Sequence, residues 1–129
     1  MRPCGRSVYL RTVAELTVYE KPTCTTCRKL HALLTERGID FERVDYHVEP
    51  LPEEKLRELV RKAGVPAREL LRTKEPRAKE LAEREAGDDE VIAAMAADPV
   101  LLERPVIERG DRAVLGRPPE RVLELLDGS

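Results

Sequence analysis

Tryptophan is absent from this 129-residue sequence, phenylalanine occurs once and tyrosine three times. A core without large rings has to rest on Leu, Val, Ile and Ala, and the stacking platforms that nucleic-acid binders use are lacking. The charge balance excludes the same partner. Its 23 basic and 25 acidic residues are intermixed and sum to −2, whereas a phosphate backbone selects a basic face. No apolar run approaches the roughly 18 residues that a membrane-spanning helix needs. Met1-Arg2-Pro3-Cys4-Gly5-Arg6 starts like a basic leader, but no apolar stretch of about 7–15 residues follows, so a secretory signal is not expected. Three cysteines are too few for the disulfide framework of a small secreted domain. A reducing cytoplasm is the expected setting.

What is present is one domain's worth of amphipathic pattern, preceded by a tail. Residues 1–15 carry no apolar period and read as a flexible tail, with Cys4 as an exposed thiol. Then come an alternating run at 16–20, a helical pattern at 25–37 closed by Gly38, and a second strand at 41–46. Strand, helix and strand within about thirty residues make a βαβ unit with parallel strands. Residues 50–102 read as helical throughout. Pro52 is expected at the first helical position of a helix with Leu56, Leu59, Val60 and Ala63 on one face and Gly64 at its end. Pro66–Leu71 reads as a short second helix, 76–85 as a charged and solvated third, and Asp88 or Asp89 as the cap of a fourth with Val91, Ile92 and Met95 facing inward. Two strands at 105–108 and 112–115 flank a Gly110-Asp111 turn, and Pro118-Pro119 opens a last helix. The fold class is α/β: a thioredoxin-like four-stranded mixed sheet over residues 16–129, with a helical insertion at about 51–103.

Cys24-Thr25-Thr26-Cys27-Arg28 carries the chemistry. It lies where the first strand passes into the first helix, so Cys24 meets the free N–H groups and positive end of that helix. Both favour thiolate over thiol, and Arg28 and Lys29 add charge nearby. Cys27, three residues on, is within reach as a resolving thiol. Half a zinc site and a pair of inert buried cysteines are the alternatives. Zinc would need Cys4, His31 or His47 to complete four ligands, with no second C-x-x-C and no H-x₃₋₅-H to supply them. No metal is therefore expected.

Three arginines occupy element ends. Arg72 follows Leu70-Leu71, Arg104 precedes Pro105 at a strand start, and Arg117 stands between Gly116 and Pro118-Pro119. Ligands collect at such ends on the thiol side of an α/β sheet, and guanidinium forks match the oxygens of a tetrahedral anion. With arginine so frequent, a chance distribution along the chain is the competing reading. A cis Arg104–Pro105 bond would turn that backbone towards Cys24.

From Leu16 to Leu126 the chain resembles the glutaredoxin-linked arsenate reductase family, with Spx-like proteins as its sister group. The resemblance is carried by Val18-Tyr19, Pro22-Thr23-Cys24, Leu70-Leu71-Arg72, Leu101-Leu102-Glu103-Arg104-Pro105-Val106 and Leu115-Gly116-Arg117-Pro118. It implies Cys24 as the nucleophile that attacks arsenate, and Arg72, Arg104 and Arg117 as the holders of the oxyanion. It also implies a role in arsenic resistance. Glutathione with glutaredoxin is the implied source of the second thiol; Cys27 followed by thioredoxin is the other route. No organic cofactor is implied, and a monomer is expected.

The chain departs from those reductases in two ways. They carry His then Asn before Pro-x-Cys, where this chain has Glu20 and Lys21, and they lack the second cysteine that Spx-like regulators have. The regulators in turn lack the arginine at position 117. A redox-switched regulator docking on RNA polymerase is therefore the alternative function, and a general thiol–disulfide oxidoreductase a third. His31 reads as a partly exposed helix residue, His47 as a loop residue and Tyr19 as packing. Glu20 is either a proton acceptor near Cys24 or an exposed strand end.

Overall fold

A computed structural model describes residues 16–127. The expected tail over residues 1–15, with Cys4, lies outside the described residues. Strand β1 (Leu16–Glu20) leads through a short loop into helix α1 (Thr25–Glu36), and β2 (Phe41–Asp45) returns parallel to β1, with Leu16 opposite Phe41 and Glu20 opposite Asp45. Gly38 adopts φ +70 beyond the end of α1, and Ile39 N–H bonds back to the Leu34 carbonyl at 3.0 Å. This left-handed closure is the reason a glycine stands there.

The insertion follows as α2 (Glu53–Ala63), a 3₁₀ turn (Ala67–Leu70), α3 (Pro76–Glu83), α4 (Asp88–Ala97) and a second 3₁₀ turn (Pro99–Leu101). Strands β3 (Val106–Arg109) and β4 (Arg112–Leu115) make the hairpin, and a 3₁₀ turn (Pro119–Val122) runs into α5 (Leu123–Asp127). The sheet order is β2-β1-β3-β4, with β3 antiparallel to both neighbours. This is the thioredoxin-like mixed sheet with an inserted helical block.

The period-2 alternation of β1 builds two cores. Leu16 and Val18 face α1 and α5, packing with Leu30, Leu34, Ile107, Val114, Val122 and Leu125. Tyr19 faces the opposite way, with Val106, into the larger core of Leu56, Leu59, Leu81, Ile92 and Met95. Strands 16–20 and 112–115 fall where the sequence reading put them, and several helix ends differ slightly. Pro52 is the extended cap of α2 and not its first helical residue. Residues 67–70 wind as a 3₁₀ turn. The charged α3 is not wholly solvated, for its own Ala78 and Leu81 are buried. Gly87 occupies the cap of α4, and the Asp88 carboxylate instead accepts the Ala67 N–H at 2.9 Å, tying α4 to the 3₁₀ turn.

Helix α2 is fixed to the sheet by Glu108 on β3. This nearly buried carboxylate accepts the Tyr19 hydroxyl at 2.7 Å and Lys55 Nζ at 2.9 and 3.0 Å, and it also pairs with Lys62. Lys55 Nζ lies 5.6 Å from the centre of the Tyr19 ring. Burial alone would raise the Glu108 carboxyl, but bonds from Lys62, Tyr19 and Lys55 hold it down to about 2. Burial and the bond to Glu108 push the Tyr19 hydroxyl up to about 12 against the pull of Lys55, which keeps it a donor. A carboxyl depressed in the folded state contributes stability above its unfolded pKa near 4.5 and loses it as pH falls towards 2. Glu108→Ala should therefore cost about 3 kcal/mol near neutral pH, because two lysines and a phenol lose their acceptor. Denaturant unfolding should show parent and variant converging as pH drops from about 5 to 2; a constant difference would contradict this account.

Candidate active site

The loop between β1 and α1 presents Cys24 as the cap residue of the helix, in extended conformation (φ −76, ψ 126). Its N–H donates to the Lys21 carbonyl at 2.9 Å, and its carbonyl accepts the Arg28 N–H at 3.1 Å, the first bond of α1. The sulfur thus stands before unsatisfied helix N–H groups. Cys24 is 8% exposed and Cys27 fully buried, and both are free thiols.

The two sulfurs sit in opposite fields. Burial pushes the Cys24 thiol up, but the backbone N–H and thiol of Cys27, the Arg104 guanidinium and the Thr26 N–H outweigh it, and the net displacement is downward. Burial pushes Cys27 up to about 12, with the negative charges of Cys24 and Glu20 adding to the rise. Arg28 and Lys29 point into solvent along α1.

Two of the three sequence-predicted arginines reach the thiol. The Arg104–Pro105 bond is cis, and the Arg104 guanidinium, 8% exposed, lies against the Cys24 thiol and the Tyr46 hydroxyl. Arg117 Nη2 is 3.7 Å from Cys24 Sγ, and its Nε donates to the Arg104 carbonyl at 2.6 Å. Gly116 permits that approach. Its N–H donates to the Pro105 carbonyl at 2.8 Å, and a Cβ there would come within 2.7 Å of Ile107 Cδ1 and 3.1 Å of Pro105 Cγ.

Arg72 joins the group through a carboxylate. Leu71 and Leu102 form an isolated antiparallel bridge, flanked by Arg72 N–H to Leu101 O at 2.7 Å and Glu103 N–H to Leu70 O at 2.8 Å. This short ladder sets Arg72 beside Glu103. Glu103 Oε1 then accepts Arg72 Nη1 at 2.7 Å and the Arg104 N–H at 3.1 Å, and lies 3.3 Å from Arg117 Nε. Sequence reasoning had placed Glu103 only within a motif; its position one residue before Arg104 was the available signal.

Glu20 is neither exposed nor turned to Cys24. It is 1% exposed, paired with His31 and accepting Arg43 Nε at 2.9 Å. His31, one helical turn after Cys27, is therefore a partnered residue and not an idle one. His47 is likewise not a bland loop residue, because both its ring nitrogens are buried. No group of three or more His, Cys, Asp or Glu side chains is arranged to hold a metal ion among the described residues. No helix among them is long and apolar enough to cross a membrane.

These fields make a direct prediction. In a protein lacking Cys4, alkylation of Cys24 (with Cys27→Ser) should show a midpoint below the ordinary thiol value of 9.0, since the serine hydroxyl keeps a donor. Cys27 (with Cys24→Ser) should stay protonated and slow up to about pH 9. Arg104→Ala should move the Cys24 midpoint upward. A Cys27 more acidic than Cys24 would reverse the assignment.

Comparison with known proteins agrees with this architecture. The ArsC family model matches residues 19–125. The uncharacterized protein YfgD of Escherichia coli is 38% identical over 115 residues, covering 87% of this chain and 97% of YfgD. An arsenate reductase of Neisseria meningitidis is 34% identical over 115 residues, covering 87% and 98%. Among solved structures, arsenate reductase from Vibrio cholerae superposes with a TM-score of 0.79 at 35% identity, covering 88% of this chain and 98% of that one. The chain belongs to the ArsC family.

Proposed function

We propose that this protein reduces arsenate to arsenite with Cys24 as nucleophile, Arg72, Arg104 and Arg117 as the oxyanion clamp, and Cys27 as a resolving thiol. One observation carries the reading: a helix-capping thiol of lowered pKa stands 3.7 Å from Arg117 Nη2 and against the Arg104 guanidinium. A thiolate is the attacking species, and cations beside it favour both its ionisation and the approach of an anion. Arsenate reductases among the relatives point to the same substrate class.

The electron balance needs two thiols. Cys24 thiolate attacks arsenic(V) and displaces one oxygen, which leaves as water after protonation. The S–As ester is then opened at Cys24 Sγ by a second thiolate. The S–As electron pair passes to arsenic, arsenite departs and a disulfide remains. Cys27 closes a Cys24–Cys27 disulfide for thioredoxin to reduce; glutathione would leave a mixed disulfide for glutaredoxin. The free Cys24–Cys27 pair favours the first route. Guanidinium forks offset the negative charge that concentrates on the arsenate oxygens during attack.

Arsenite formation should be seen when arsenate is supplied with thioredoxin and its reductase, and should vanish in Cys24→Ser. Loss of activity in Cys27→Ser under thioredoxin, with rescue by glutathione and glutaredoxin, would separate the two routes. No arsenite under either system would overturn the reading and favour the redox-switched regulator. Binding gives an independent check. Arg72→Ala and Arg117→Ala should each weaken arsenate binding about ten- to a hundredfold, the effect of roughly 1.5–3 kcal/mol per charged hydrogen bond. Lysine at either position should recover only part of this, lacking the planar fork. Exposed Arg61 is the control and should have no effect.

A further inference from the structure

Among the described residues, the buried side-chain nitrogens that lack a hydrogen-bond partner come from three residues: Nε of Arg72, Nε and Nη1 of Arg104, and both ring nitrogens of His47. Buried polar groups in folded proteins are rarely left this way, since each costs about 1–3 kcal/mol. Two of the three residues already belong to the arginine cluster. The third was reached by neither motif nor spacing.

His47 follows β2, where its backbone N–H donates to Asp45 Oδ1 at 3.0 Å. Its ring lies on Tyr46 with centroids 4.6 Å apart. Tyr46 is itself fixed, its hydroxyl donating to the Leu102 carbonyl at 2.6 Å beside Arg104. The charged groups facing the ring are Arg104, Lys21 and Arg72 against Asp45, whose Oδ1 is 3.8 Å from Nδ1 and beyond hydrogen-bond reach. Burial, then Arg104 and Lys21, hold the imidazole below its ordinary 6.5 in spite of Asp45. The ring is thus neutral near pH 7, with one donor and one acceptor nitrogen and no partner for either. A doubly charged anion among these cations offsets their positive field and favours the imidazolium.

We propose that His47 is a fourth contact of the oxyanion site, taking up one proton as a dianion enters and releasing it as the anion leaves. This rests on the reading of that site as an oxyanion clamp. It makes the site selective for doubly charged tetrahedral anions over singly charged ones, because only the former repay protonation of the ring.

Sulfate is the probe, because it remains a dianion across the relevant range. Cys24→Ser removes the thiolate, the other group titrating beside the anion. In that protein, sulfate affinity and proton uptake are measured by calorimetry between about pH 5.5 and 7.5, in two buffers of different ionisation enthalpy. The ring protons of His31 and His47, the two histidines of the chain, are followed by NMR. The protonated ring binds the anion more tightly, so affinity should fall as pH rises, at up to about tenfold per unit. Saturating sulfate should raise the His47 midpoint by about one unit or more and leave that of His31 in place. His47→Gln should make binding independent of pH over this range.

A sulfate affinity that is flat with pH, or a His47 midpoint that sulfate does not move, overturns the proposal and leaves the arginine clamp standing. No sulfate binding to this protein and no arsenate binding to the parent overturn the clamp and the proposal together. The NMR titration uses the native ring at position 47. It therefore decides the matter even if His47→Gln fails to fold.

Discussion

Guanidinium groups gathered beside one thiol repel each other, and the Glu103 carboxylate is what lets them stay. Two like charges about 6 Å apart at an effective dielectric of about 20 repel by roughly 3 kcal/mol. One carboxylate oxygen, Glu103 Oε1, meets this by accepting from Arg72 and the Arg104 backbone while standing 3.3 Å from Arg117 Nε. Its position is set by the short ladder between residues 70–72 and 101–103, which joins the interior of the helical insertion, just after its first 3₁₀ turn, to its C-terminal end. The insertion thus does more than enlarge the core. Its first and last strand-like segments close on one another and deliver Arg72 and Glu103 to the end of the sheet where Cys24 emerges.

The elements that sequence could reveal are those governed by local periodicity. Alternation at 16–20, the i, i+3, i+4 repeat of Leu56, Leu59 and Val60, and glycines at 38, 64 and 110 each require only a few neighbouring residues. Positive φ at all three glycines shows that the backbone itself asked for them. Cys24 was legible for the same reason, since a helix cap is a local feature. Long-range pairings were not. Glu108 meets Tyr19 across 89 residues and Lys55 across 53, and no spacing rule connects them. Glu103, Glu20 and His47 belong to this class, being defined by what folds against them. Asp88 illustrates the boundary: its type fits a helix cap, yet its carboxylate is taken by the distant Ala67 N–H and the cap falls to Gly87.

Glu20 shows how a residue that ought to oppose the chemistry is turned to its use. A carboxylate four residues before the nucleophile would by itself raise that thiol's pKa. Here it is buried, paired with His31 and accepting from the Arg43 guanidinium, and among the two thiols it is Cys27 that feels it. Arg104 acts on Cys24 in the other direction, and Arg117 stands beside the same sulfur. Burial chiefly raises Cys27, with the charges of Cys24 and Glu20 adding to it, while the Cys27 N–H and thiol, Arg104 and the Thr26 N–H lower Cys24, so the two pKa values are driven apart. Titratable neighbours with separated pKa values are the arrangement by which one group reacts while the other waits. Once Cys24 is bonded to another atom its negative charge is gone, and that charge is one of the causes that hold Cys27 high. Loss of that charge eases ionisation of Cys27, while burial, the larger cause, continues to hold the thiol up.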